Sequence, residues 1–169
     1  IRISSNLDFW NKFKTLKEYD ITNAAISSVV PKLTPLYIES IRNIFHIDAF
    51  IVNHENSGIK LNVEVPKEVG ADRICNAAAA KKITGCPAIV GDIGSATNYD
   101  VVDKNGAFMG GAIAPGIEVA AHNLIERAAL LKETTFTIPK TAVGKTTESN
   151  LQSGIMLGAI DVVDGMFTR

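Results

Sequence analysis

Apolar and polar positions change their spacing several times along this chain, and each change of period marks an element. "IRIS" at Ile1–Ser4 reads as a strand, and a mixed stretch runs from Asn6 to Tyr19. "ITNAAISSVV" is then apolar, small and β-branched, which suits a buried strand. Pro31 opens a helix to about Phe45, because proline in the first turn loses no hydrogen bond and Leu36, Ile38, Ile41, Ile44 and Phe45 form a helical stripe. "DAFIVN" follows as a short strand. Strand, helix and strand in that order predict an α/β layer with parallel pairing.

"NHENSG" at Asn53–Gly58 is a polar loop, and "IKLNVEVP" alternates like a half-exposed strand that Pro66 ends. A domain boundary is expected there, dividing the chain into 1–66 and 67–169. From Val69 the pattern becomes that of an alanine-rich helix, "GADRICNAAAAKKITG", with Lys81 and Lys82 in its last turn and Gly85 as its stop. "AIVGDI" and "ATNYDVV" are two strands around Gly94 and Ser95, and "DKNG" turns into a third, "AFMGGAIA", so three antiparallel strands are predicted. Pro115 and Gly116 lead into a helix whose apolar face holds Ile117, Ala120, Ala121, Leu124, Ile125, Ala128 and Leu131. "TTFTIP" reads as a short strand, and Ser149 to Gln152 has capping-box spacing ahead of the last helix.

Composition narrows the function classes. The 169 residues, 46% apolar and 21% charged, allow one good core or two small ones. A net charge of -1 provides no basic field, so neither nucleic acid nor an anionic membrane is an expected partner, and small-molecule chemistry is favoured. Cys75 and Cys86 form no C-x-x-C pattern and have no histidine at zinc spacing, which fits a reducing, cytoplasmic compartment. No apolar run approaches the roughly 20 residues that span a bilayer, and "GIMLGAIDVVDGMF" is interrupted by Asp161 and Asp164. The chain begins at Ile1 with neither an initiator methionine nor a signal-peptide pattern and reads as cut.

Several polar residues could carry chemistry. Asp92 closes an apolar strand just before Gly94, where backbone can approach a ligand. Its carboxylate could hold a cation while Ser95 and the turn amides face phosphate oxygens, although the turn taken alone favours an aspartate that merely bonds turn amides. Asp72 stands beside Arg73 at a helix start. There the dipole alone favours a carboxylate by about 0.3 to 1 kcal/mol, and the same group could accept the proton of an alcohol attacking a phosphoryl group. "VGKTT" matches only the end of a phosphate loop, because the position that needs the first glycine is Pro139. Thr147 could still offer a hydroxyl. His46, His54 and His122 have no ligand spacing, and Trp10 and the tyrosines form no stacking platform. Asp103 belongs to the hairpin turn with Asn105 and Gly106, and Asp100 has no assigned role.

Four segments taken in order, "EVGADR" at Glu68–Arg73, "GDIGSAT" at Gly91–Thr97, "GGAIAPG" at Gly110–Gly116 and "GKTTESNLQSG" at Gly144–Gly154, resemble the type III pantothenate kinases. These belong to the superfamily of acetate and sugar kinases, heat-shock chaperones and actin. The resemblance implies actin-like ATPase (ribonuclease H-like) domains, mixed sheets with flanking helices, and phosphorylation of pantothenate by ATP with Mg2+, the first step toward coenzyme A. It implies Asp72 as the proton acceptor, Gly70, Ala71, Asp72, Arg73 and Thr147 around pantothenate, Gly94 and Ser95 at ATP, and Asp92 at a monovalent cation, K+ or NH4+. A homodimer is implied, with the helix from Ile117 to Leu131 as a candidate interface. Ser95 and Asn98 stand where the family usually has threonines, and Val63 stands for a tyrosine. The family's N-terminal acidic and glycine phosphate motif has no counterpart here, so the sequence reads as a fragment: 1–66 as the remainder of one domain, 67–169 as most of the next. A non-catalytic accessory protein on the same fold, or a kinase of another small alcohol, remains the alternative.

Overall fold

Strand, helix and parallel strand do follow one another in the computed structural model, which describes residues 15–169. The expected strand at Ile1–Ser4, and Trp10, lie outside the described residues. The chain divides into two compact units between Ala79 and Ala80, 13 residues beyond the boundary expected at Pro66.

In the first unit β1 (Ala24–Ile26) pairs in parallel with β2 (Ala49–Ile51), and α1 (Thr34–Phe45) packs on both. Ser40, Ile41 and Ile44 are the buried positions of α1, which is the expected stripe reduced to its inner edge. β1 is shorter than "ITNAAISSVV" because Ser28 diverts the chain. Its hydroxyl accepts from the Val30 amide at 3.2 Å and from Thr34 Oγ1 at 2.8 Å, and side-chain bonds of this kind compete with a sheet ladder. Pro31 therefore sits in a turn closed by Leu33 N to Val30 O, and Pro35, not Pro31, occupies the first helical turn. The helix stops at His46, left-handed at φ 59°, whose amide donates to the Arg42 carbonyl.

The alternation of "IKLNVEVP" does not become a strand. Leu61 makes an isolated bridge only, because alternation specifies a face but supplies no neighbour for the backbone groups. A 3-10 turn at Pro66–Glu68 leads into α2 (Ala71–Ile83), which buries Ala71, Ile74 and Ala77 and stops before Gly85 at φ 84°.

The second unit carries the three predicted antiparallel strands, β3 (Ala88–Ile93), β4 (Ala96–Val102) and β5 (Phe108–Pro115), in that order. At the β4–β5 turn Asp103 Oδ1 accepts from the amides of Asn105 and Ala107, both at 2.8 Å, and Gly106 takes φ 77°. The register slips between Asp100 and Val102. Gly111 faces Asp100 there, and an added Cβ would collide with the Tyr99 carbonyl, so only glycine lets the strands come this close.

α3 (Ile117–Arg127) packs on β4 and ends four residues short of Leu131. "TTFTIP" is irregular: Thr134 Oγ1 donates to Glu148 at 2.8 Å, and the Thr135 carbonyl accepts from Gln152 at 2.8 Å, so side chains take the place of a strand partner. α4 (Thr147–Gln152), a π turn (Ser153–Leu157) and α5 (Gly158–Phe167) complete the unit. The capping box lies one turn earlier than expected, between Thr146 and Ser149, each side chain accepting the other's amide. Tyr99, Val102, Phe108 and Ala121 are core residues, and the Phe167 ring meets Tyr99 edge-on at 6.1 Å above Gly91. The fold is thus α/β, but its parallel and antiparallel strands lie in separate sheets. No helix among the described residues is long and apolar enough to cross a membrane.

Candidate functional site

At the start of α2 the sequence Gly70-Ala71-Asp72-Arg73 turns a 3-10 segment into a helix. The Gly70 carbonyl accepts the Ile74 amide at 3.1 Å, which makes Asp72 a first-turn residue. Asp72 is half-buried, and its Oδ1 accepts from the Arg73 amide at 2.8 Å. A Cβ at Gly70 would come within 2.5 Å of that same oxygen and 3.2 Å of Val29. The glycine therefore gives the carboxylate its place. A carboxylate held on a helix amide in the first turn is placed where it can accept a proton from an alcohol.

In the second unit the predicted residues Asp92, Gly94 and Ser95 come together at the β3–β4 turn. Asp92 is half-buried one residue before the end of β3, while Gly94 and Ser95 are exposed. The turn is braced from behind. Gly94 N donates to the Ala96 carbonyl at 2.9 Å, and Gly116 N donates to the Ser95 carbonyl at 3.1 Å. A Cβ on Gly116 would collide with the Gly94 carbonyl, so "GDIGSAT" and "GGAIAPG" meet backbone to backbone. Above Gly94 the way is open, since a Cβ there would meet only the Ala96 carbonyl at 3.7 Å. A cleft of about 520 Å³ begins at Gly94 and is lined by Ile117, Glu118, Phe136 and Met156. Gly116 leaves the N-terminus of α3 without a side-chain cap. An open glycine turn, an exposed hydroxyl and uncapped helix amides can meet an anionic group such as a phosphate.

Among the described residues no group of three or more His, Cys, Asp or Glu gathers as a metal cluster. Asp92 could offer carboxylate oxygens to a singly charged cation, and a divalent ion carried on a phosphate ligand would need few protein ligands.

Thr147 is the first residue of α4, exposed on the rim of a cleft of about 500 Å³ with Glu133, Thr134 and Glu148. The amides of Lys145 and Thr146 donate to Ser149 Oγ at 3.0 Å. Those amides are spent on the cap, which is the structural reason "VGKTT" makes no phosphate loop. His122 is exposed on α3, and Cys75 and Cys86 are free thiols.

Two features escaped sequence reasoning. Gly116 reads as a helix start, and only the assembled turn reveals it as the brace of Gly94. Asn98 pairs directly with Asp92 across β3 and β4 and is only 8% exposed. The signal for it was present, because the short Gly94-Ser95 turn sets the register, but burial requires the layers above.

A family model described as type III pantothenate kinase matches residues 4–169. The type III pantothenate kinase of Thermomicrobium roseum is 45% identical over 151 residues, covering 89% of this chain and 58% of that protein. That of Dictyoglomus turgidum is 42% identical over 159 residues, covering 94% of this chain and 62% of that protein. The chain thus spans about three fifths of the length of these curated relatives. A solved structure described as a conserved Baf family transcriptional activator from Campylobacter jejuni superposes with a TM-score of 0.57 at 21% identity, over 90% of this chain and 67% of that one, and shares the fold.

Proposed function

Because the chain belongs to the type III pantothenate kinase family, we propose that the protein phosphorylates pantothenate with ATP to give 4'-phosphopantothenate, the first step of coenzyme A synthesis. The observation that carries this reading is the Asp72 carboxylate, seated over Gly70 at the head of α2 in the first of four motifs that run in family order.

Asp72 takes the proton of the pantothenate hydroxyl as it attacks. A loose phosphoryl-transfer transition state needs positioning and a late acceptor, so an ordinary carboxylate suffices. Gly70, Ala71 and Arg73 border the same helix start and surround the substrate, and the Thr147 hydroxyl contacts it. Gly94 and Ser95 hold the nucleotide, and Asp92 holds a monovalent cation, K+ or NH4+. ATP with Mg2+ supplies the phosphoryl group and neutralises its charge.

The whole protein is read as an actin-like ATPase of ribonuclease H-like domains, with 1–66 in the first and 67–169 in the second. The parallel and antiparallel sheets with helices against them are consistent with that reading. It works in the cytoplasm as a homodimer with neither nucleic acid nor membrane as partner, and the exposed Val119 and Leu124 on α3 support the interface.

A panel of small alcohols incubated with the full-length protein and ATP tests the assignment. Phosphorylation of pantothenate in preference to sugars and other hydroxy acids is expected. Turnover of a different alcohol, or none at all, would overturn it.

A further inference from the structure

The segment from Glu133 to Phe136 is neither helix nor strand, yet it walls two clefts that the proposed reaction uses. Thr134 and Thr135 line the cleft of about 500 Å³ that has Thr147 on its rim. One residue on, Phe136 lines the cleft of about 520 Å³ that begins at Gly94. On its other side the segment borders a cleft of about 250 Å³ against Glu118, His122 and Ile125, so it does not pack flush on α3. Its hold comes from α4. Glu148 and Gln152 lie four residues apart and share a face of that helix. The Glu148 carboxylate accepts from Thr134 Oγ1 at 2.8 Å, and the Gln152 carboxamide donates to the Thr135 carbonyl at 2.8 Å. A carboxylate is a stronger acceptor than a neutral carbonyl, which makes Glu148 the firmer tie.

We infer that Glu148 is a positioning residue: through Thr134 it fixes the segment Glu133–Phe136 as a wall shared by the cleft at Thr147 and the cleft at Gly94, and so sets the affinity for both substrates. The inference rests on the readings of Thr147 as a pantothenate contact and of Gly94 as a nucleotide contact. Thr134, Thr135 and Phe136 are consecutive, so a shift that frees Thr134 from α4 carries Phe136 with it. Releasing the tie therefore widens one cleft and moves the wall of the other, while the reacting groups stay where they are.

Steady-state kinetics of the full-length protein test this. Glu148→Ala and Thr134→Val each remove one end of the tie, and each is expected to raise the KM for pantothenate and the KM for ATP about threefold or more, with kcat within about twofold of the parent. The double variant is expected to be no worse than the more affected single one, because both ends belong to one contact. Glu148→Gln keeps an oxygen acceptor and is expected to recover most of the affinity. Thr134→Val carries the test if Glu148→Ala does not fold. Unchanged KM values, a rise confined to one substrate, effects that add in the double variant, or a Glu148→Gln protein as impaired as Glu148→Ala would each overturn the positioning role alone. Thr147→Val addresses the reading beneath it. A KM for pantothenate that this variant leaves at the parent value overturns Thr147 as a substrate contact, and this inference with it.

Discussion

Asp103 illustrates what a single side chain does when its partners are local. Its carboxylate accepts two turn amides, and the bond from Ala107 is the main reason its pKa falls below the ordinary 3.8. A depressed carboxylate contributes stability above its unfolded pKa and loses it as pH falls through the folded value. Asp103→Ala should therefore melt below the parent at pH 6, with the gap closing as the pH drops below 3.8. Melts from pH 3 to pH 7 check this, and a gap that widens in acid would contradict it. This role was legible in the sequence because "DKNG" contains all of it. Asn98 was not, since its burial depends on the register of one strand pair and on whatever covers that face. Asp100, fully buried beside Gly111, was likewise undecidable from its neighbours in sequence.

At the scale of elements, the helices and antiparallel strands of the second unit were legible where period and turn chemistry agreed. "IKLNVEVP" and "TTFTIP" were misread because each has strand composition but meets no partner strand, and side chains or an isolated bridge meet the backbone's needs instead. The capping box was misplaced by one turn, since Thr146 and Ser149 are both good caps and only the helix itself shows which one starts it. Thr146→Ala should cost about 1 kcal/mol in chemical denaturation through loss of the cap. Gly116→Ala should cost more, about 1 to 3 kcal/mol from overpacking against the Gly94 carbonyl. It should also raise the KM for ATP, because the Gly94-Ser95 turn would have to move. An unchanged KM for ATP in a folded Gly116→Ala protein would separate that turn from the nucleotide site.

For the whole molecule, the four motifs carried more than any local pattern. Each alone has an ordinary structural explanation, yet their order pointed to the family that the chain matches over residues 4–169. The division between Ala79 and Ala80 was not legible, because it falls inside a continuous helix with no break in its pattern. Asp72 stands at the head of that helix, and the proposed reaction turns on its carboxylate. The most direct measurement is turnover of pantothenate and ATP by the full-length protein carrying Asp72→Asn, with pantothenate binding followed by calorimetry. The amide keeps the shape but cannot accept the proton, so kcat should fall by about a hundredfold or more while binding changes little. A kcat close to that of the parent would contradict the assignment of Asp72 as the base.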